Sequence, residues 1–340
     1  MATDLAPSMK LLQMMNGYRV MQALYAAAAL GLADLLAEGP RHSDDLAQAA
    51  AAHPPSLRRL LRALASLEVV AETTGGRFAL TPLGACLRSG VPGSLRAAAI
   101  FFGDKRHWSA WGKLVDSVRT GETVWGPRSG QAFFEMAARD PQGAAIFNDA
   151  MTSMTGVLNA AVVDAYDFSG IGVLVDVGGG HGALLCGILA ANPDLRGIVF
   201  DIAPVIEGTR ARIAAAGLGG RCEAVAGDCF RSVPRGDAYI LKAIIHDWTD
   251  ELSIAILANC RRAMAAGGRL LLAERVVPER IDATPETQGA VLGDLNMLLL
   301  SGGCERTEDE YRVLLSAAGL RLARVVPTAS PLSLIEAVPT

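Results

Sequence analysis

The sequence predicts an α/β chain in which a mostly parallel sheet follows a helical amino-terminal region. Three observations carry this. Val173 to Asp201, VLVDVGGGHGALLCGILAANPDLRGIVFD, reads as strand, glycine turn, helix and a second strand ending in an acid. Further apolar strand-like runs recur near 222–227, 237–242 and 269–275, with helical stretches between them, the alternation that builds parallel sheets. Before residue 165 the chain is alanine- and leucine-rich, with a single hairpin signal.

The elements follow in order. Residues 9–38 predict one or two helices without a clearly polar face, which something must cover. Val20 to Leu36 carries Gln22, Gly31 and Asp34 and is short for a bilayer span, so an interface helix is expected. Ser43 is a good N-cap for a helix to Ala51, and Pro54-Pro55-Ser56 opens another, SLRRLLRALASL. Val69–Glu72 and Arg77–Leu80, separated by Thr-Thr-Gly-Gly, predict a hairpin, so this region reads as a winged helix. A second helical stretch runs from about Gly93 to Ala165, broken at Gly121–Gly130 and near Asp140-Pro141. The last helix, Thr307 to Ala318, opens on the capping pattern T-x-x-E, and strands near 320–327 and 331–337 suit an antiparallel hairpin. Three domains are expected: 1–92, a helical connector over 93–165, and a catalytic domain over 166–340.

Composition narrows the function. With 51% hydrophobic residues, 340 residues can bury a sizeable core. A net charge of -4 argues against nucleic acid as a partner, so Arg58, Arg59 and Arg62 read as a solvated face of the second helix. Cys86, Cys186, Cys222, Cys229, Cys260 and Cys304 lack paired spacing and read as reduced, buried small residues. The start, MATDLAPSMK, lacks a basic region followed by an apolar segment, and a cytoplasmic, non-membrane protein is expected.

The glycine turn is where a nucleotide-containing ligand would sit, because backbone can approach closely and the helix amino-terminus offers N–H groups. Gly178, Gly180 and Ala183 satisfy G-x-G-x-x-A of dinucleotide enzymes, while Gly178, Gly180 and Gly182 satisfy G-x-G-x-G of S-adenosylmethionine enzymes. Asp201 closes the second strand where a carboxylate can accept both ribose hydroxyls. Asp176, Asp228, Lys242 and Glu274 also fall at or near predicted strand ends, which points to one cleft.

Four ordered motifs break the ambiguity. VDVGGGHG, Phe200-Asp201-Ile202-Ala203-Pro204, Gly227-Asp228-Cys229-Phe230 and Leu241-Lys242-Ala243-Ile244-Ile245-His246-Asp247-Trp248 are followed by Gly303-Cys304-Glu305-Arg306-Thr307. Over nearly its whole length the chain resembles the plant-type and bacterial small-molecule O-methyltransferases, which read V-D-V-G-G-G-x-G, F-D-L-P, G-D-M-F, L-K-x-x-x-H-D-W and G-K-E-R-T. The resemblance implies a class I methyltransferase Rossmann-like sheet, S-adenosylmethionine as cofactor with S-adenosylhomocysteine as product, and a homodimer through a winged-helix amino-terminal domain. His246 is then the general base for a phenolic hydroxyl, flanked by Glu274 and Glu305. Asp247 orients the histidine or is an acid at a helix amino-terminus. The Gly178–Gly182 loop, with Gly180 at its centre, surrounds the methionine part of the cofactor, Asp201 binds the ribose, and Asp228 and Cys229 border the adenine, with Lys242 near the adenine end and Asp176 and Ile202 also at the cofactor. Cys229 stands where the family usually has methionine.

Phe147 and Met151 lie four apart, hence on one helix face, and match F-N-x-x-M, whose phenylalanine and methionine clamp an aromatic acceptor; core packing is the alternative. Trp108, Trp111, Phe133 and Phe134 are further apolar candidates for that pocket. No metal is implied. Glu274 and Glu305 have a plainer reading as surface acids beside Arg275 and Arg306. A family member repurposed for non-methylating chemistry, or an N-methyltransferase, remain alternatives. A nicotinamide oxidoreductase would need a Tyr-x-x-x-Lys or a zinc site, and a DNA-binding regulator a basic surface; the sequence offers neither.

Overall fold

In the computed structural model, which describes residues 6–126 and 140–340, the apolar runs after residue 170 pair into one seven-stranded sheet. Its strands are β1 (Val173–Val177), β2 (Arg196–Asp201), β3 (Cys222–Ala226), β4 (Gly236–Lys242), β5 (Met264–Glu274), β6 (Leu320–Pro327) and β7 (Ser333–Pro339). Their spatial order is 3-2-1-4-5-7-6, with β1 to β5 mutually parallel where paired and β7 antiparallel to both neighbours. Alternation along the strands feeds two cores. Leu174, Val199, Ile240 and Leu271 pack with the leucines of helix Ala183–Ala191. The intervening Val175, Tyr239, Leu241 and Leu272 pack with helices Asp250–Ala263 and Glu308–Ala317. At the second of these Thr307 and Glu310 form the expected reciprocal capping box.

Reversal of the chain between β1 and β4 brings the carboxyl ends of β1, β2, β4 and β5 to one edge of the sheet, the place where such sheets bind ligands. A two-residue parallel ladder, Val276–Val277 with Arg306–Thr307, lies just beyond β5. The chain runs between its strands through helix Pro285–Leu300, which the sequence pattern did not reveal.

The described residues divide into two compact units, one from the chain up to Ser109 with Asp140–Met154, the other from Ala110 onward with Thr155–Thr340. Helix Pro141–Ala165 belongs to the first in its opening turns and to the second thereafter. The first unit opens with three helices rather than one or two, Pro7–Met15, Gly17–Ala29 and Leu32–Leu35, broken at Asn16 and at a left-handed Gly31. Helices Ser43–Ala49 and Pro54–Ser66 follow, then strands Val70–Thr73 and Arg77–Leu80, with Arg41–His42 added to their edge. Leu57, Leu61 and Leu64, on one face of the second helix, are buried with Leu46 and Phe78, and Arg58, Arg59 and Arg62 on the other face are exposed. Met9, Leu12, Met15 and Tyr18 are also exposed. None of the six cysteines is in a disulfide, as expected, but Cys86 is exposed and Cys229 and Cys304 are half-buried, so only Cys186, Cys222 and Cys260 meet the expectation of burial.

Candidate active site

His246 sits in a single 3-10 turn, Ile245–Asp247, entered from β4 through Ala243 in a left-handed conformation (φ 53°). Such a φ is strained for a residue with a Cβ and recurs at functional sites. It lets the Ile244 and Ile245 N–H groups donate to Oε1 of Glu274 at 3.0 and 2.8 Å. Glu274 ends β5 and is fully buried; Glu305 is 6% exposed, and its own N–H donates to Asp294. Their burial rules out the surface-acid reading.

The imidazole Nδ1 lies 3.0 Å from Glu305 Oε1 and 3.7 Å from Glu274 Oε2, while Nε2 is 4.0 Å from Asp247 Oδ1. Burial by itself favours the neutral ring, but Glu274, the hydrogen bond to Glu305 and Asp247 outweigh it and raise the histidine pKa. Burial pushes Glu274 up as well, with His246 opposing, and the imidazole and its carboxylates titrate as a unit. Asp247 stays in the 3-10 turn. The helix that follows has Thr249 at its N-cap position and carries Asp250 and Glu251 in its first turn, so Asp247 lies outside that helix.

The glycine turn follows β1. Gly180 has φ 57°, open to a residue without Cβ, and its N–H donates to Asp201 Oδ2 at 2.8 Å. Asp201 Oδ1 accepts from the Ile202 N–H at 2.7 Å, so both oxygens are oriented and each keeps a further acceptor site. Ile202 is 53% exposed beside it. At the end of β3, Asp228 accepts from the Phe230 N–H and pairs with Arg231. The Cys229 carbonyl is held by Asn259, and burial keeps its thiol protonated, with a pKa pushed up to about 11.

Asp176 is 2% exposed, and its Oδ2 has no hydrogen-bond partner. Burial raises its pKa to about 7, with Lys242 opposing. The Lys242 ammonium donates to Thr155 Oγ1 at 2.9 Å, and its charge acts on Asp176 and Glu274. Lys242 is on β4, separated from Asp228 at the end of β3 by β1 and β2, with its charge beside Asp176. Strand order, which the sequence does not fix, decides this.

Phe147 and Met151 are half-buried on helix Pro141–Ala165, and the Phe147 ring meets that of Phe101 edge-on at 5.7 Å. Trp108 donates to the Phe102 carbonyl and stands against Tyr18, whereas Trp111 donates to Asn296, so the two indoles have separate surroundings. Phe133 and Phe134 lie outside the described residues.

A sheet ordered 3-2-1-4-5-7-6 with β7 reversed, a glycine turn after β1 and an acid closing β2 define a class I methyltransferase. The chain matches the O-methyltransferase domain model over residues 111–321 and the O-methyltransferase dimerisation domain model over 12–90, and it belongs to that family. It is 47% identical to phenazine O-methyltransferase PhzM of Lysobacter antibioticus over 97% of this chain and 95% of that protein. A crystal structure titled LaPhzM superposes with a TM-score of 0.90 at 46% identity, covering 99% of this chain and 100% of that one. At 37% identity, over 88% of this chain and 81% of the other, stands aclacinomycin 10-hydroxylase RdmB of Streptomyces purpurascens. The protein is an S-adenosylmethionine-dependent methyltransferase.

Proposed function

We propose that this enzyme methylates a hydroxyl of a small aromatic compound, with His246 as the general base. The observation that carries this is the commitment of Nδ1 to two buried carboxylates. With Nδ1–H donating to Glu305, Nε2 carries the lone pair and faces away from the pair. Glu274 and Glu305 hold the ring's tautomer and compensate the charge it gains on taking a proton. Asp247, nearest to Nε2, orients the incoming hydroxyl.

The residues of the cleft fit the cofactor. Asp201 offers oriented acceptor sites for ribose hydroxyls, Ile202 and Cys229 an apolar border for adenine, and Asp228 an acceptor for its amine. The unpartnered Asp176 oxygen and Lys242 suit the ammonium and carboxylate of the methionine part, beside Gly178 and Gly180. S-adenosylmethionine, when bound, supplies an electrophilic methyl group and a neutral thioether leaving group. Phe147 and Met151 are assigned to the acceptor.

The test is incubation with trideuteromethyl-labelled S-adenosylmethionine and a panel of phenols with matched anilines. Label is expected on oxygen, and unchanged in the presence of EDTA. His246, Glu274 and Glu305 bring donor atoms within 4.8 Å of one another, and we assign that closeness to a shared proton rather than a cation. Transfer to anilines alone, or loss of transfer with EDTA, defeats the reading. A cofactor-bound enzyme that consumes acceptor without label would favour the repurposed chemistry instead.

Exposed Met9, Leu12, Met15 and Tyr18 lie on or beside the dimerisation-domain match, and we infer that a second copy of the chain covers them. Light scattering is expected to give twice the 35.5 kDa chain mass at micromolar concentration; a monomer there overturns the inference. Among the described residues no helix is long and apolar enough to cross a membrane.

A further inference from the structure

Arg306 is charged yet 2% exposed. Its guanidinium donates to Asp250 Oδ1 through Nε and Nη2 at 3.1 and 2.7 Å. Nη1 reaches the carbonyls of Ile245 and Cys304 at 3.2 and 3.3 Å, and Nη2 that of Trp248 at 3.1 Å. Ile245 and Trp248 bracket His246 and Asp247, so one planar fork grips the segment on both sides of the base. Ser253 Oγ donates to Ile245 O at 3.3 Å, a second tie on the same carbonyl.

Gly303 closes the segment from another direction. A Cβ built there would lie 2.0 Å from the His246 carbonyl oxygen, 2.6 Å from the Asp247 carbonyl carbon and 2.7 Å from the Trp248 nitrogen. Those atoms are backbone, so a methyl group fits only if the histidine turn or the glycine loop moves. Between Gly303 and Arg306 the same short stretch carries Glu305, the carboxylate on Nδ1. Arg306 itself pairs with Val276, two residues after Glu274. Both carboxylates and the backbone of the base are thus tied to one stretch of chain.

We propose that Gly303 and Arg306 are positioning residues for methyl transfer, setting where the His246 imidazole stands against the Glu274–Glu305 pair. The proposal rests on His246 being the base. Charges acting on the imidazole come from Glu274 of β5, Glu305 and Asp247, while Lys242 of β4 acts on Glu274 and Tyr311 of helix Glu308–Ala317 interacts with both carboxylates. Gly303→Ala changes no charge, and Arg306→Lys keeps the charge while losing the fork. A shift in the imidazole's titration in either variant therefore reports geometry.

The experiment uses the full chain with ¹⁵N-labelled histidine and saturating S-adenosylhomocysteine, following the ring nitrogens by NMR against pH, with His246→Ala to assign the signal. Wild type is expected to titrate well above the ordinary histidine value of about 6.5. Both variants are expected to titrate at least about one pH unit lower, a tenfold change in acidity, with S-adenosylhomocysteine affinity within about threefold of wild type. A raised wild-type midpoint that neither variant moves overturns the positioning roles and leaves the base reading intact. An ordinary wild-type midpoint overturns the carboxylate pairing on which both depend. Should Arg306→Lys lose the ligand, Gly303→Ala, which removes no hydrogen bond, decides alone.

Discussion

His246→Ala is expected to lower kcat for a phenolic acceptor roughly 10²- to 10⁴-fold, the range for losing a positioned base, while S-adenosylhomocysteine affinity stays near wild type. The pH profile gives the loss its signature. The ring must be neutral to accept a proton. Burial alone would favour that form, but Glu274, Glu305 and Asp247 hold the proton on to about pH 10. The wild-type rate should therefore rise with pH from neutrality upward. In His246→Ala only the acceptor's own ionisation remains, near pH 10 for a simple phenol, so a phenol acidified by an electron-withdrawing group separates the two: its limb moves to lower pH in the variant. Initial rates between pH 6 and 10 decide the matter. A variant within threefold of wild type at pH 7 sinks the assignment, and one that methylates an aniline at full rate moves the enzyme to amine chemistry, where the base matters less.

Asp201→Ala should be the most damaging change for cofactor binding. The carboxylate organises the glycine turn through the Gly180 N–H and presents its remaining acceptor sites to the ribose. Hydrogen bonds to a charged group contribute about 1.5–3 kcal/mol each, so losing two weakens binding roughly 10²- to 10⁴-fold. Isothermal titration with S-adenosylhomocysteine measures this directly. Affinity within fivefold of wild type would remove Asp201 from the ribose. Asp201→Asn should fall between, keeping an acceptor for Gly180 but not the charge.

The residues that announced themselves in the sequence did so through local rules. The run VLVDVGGGHG shows a strand and its turn because alternation and glycine are readable within ten residues, and Thr307 with Glu310 shows a helix start for the same reason. His246, Glu274 and Glu305 were legible only as a resemblance; that the acids converge on Nδ1 depends on β4, β5 and the ladder beyond. That Lys242 stands beside Asp176 was not legible, because its neighbours are set by strand order. Gly303 and Arg306 were legible only as letters of the G-C-E-R-T motif, since a glycine's close approach and an arginine's carbonyl partners exist only after residues 245–250 fold against them. Helix Pro285–Leu300 hid for a related reason: its apolar residues are interspersed with Gln288, Asp294 and Asn296, leaving no single apolar face to read.

The ladder of Val276–Val277 with Arg306–Thr307 has a bearing on how such an enzyme diversifies. The chain leaves the ladder at Val277 and returns by way of Gly303 and Glu305 to Arg306, so residues 278–302 are an excursion anchored at both feet. Insertions or exchanges within an excursion add little closure entropy, which grows only with the logarithm of its length. Asp294, which accepts from the Glu305 N–H, and Gly289, whose carbonyl accepts from Arg275, tie it back to its feet. Helix Pro285–Leu300 thus lies in a segment whose length can change at low entropic cost while the ladder at its feet keeps Glu274 and Glu305 in register.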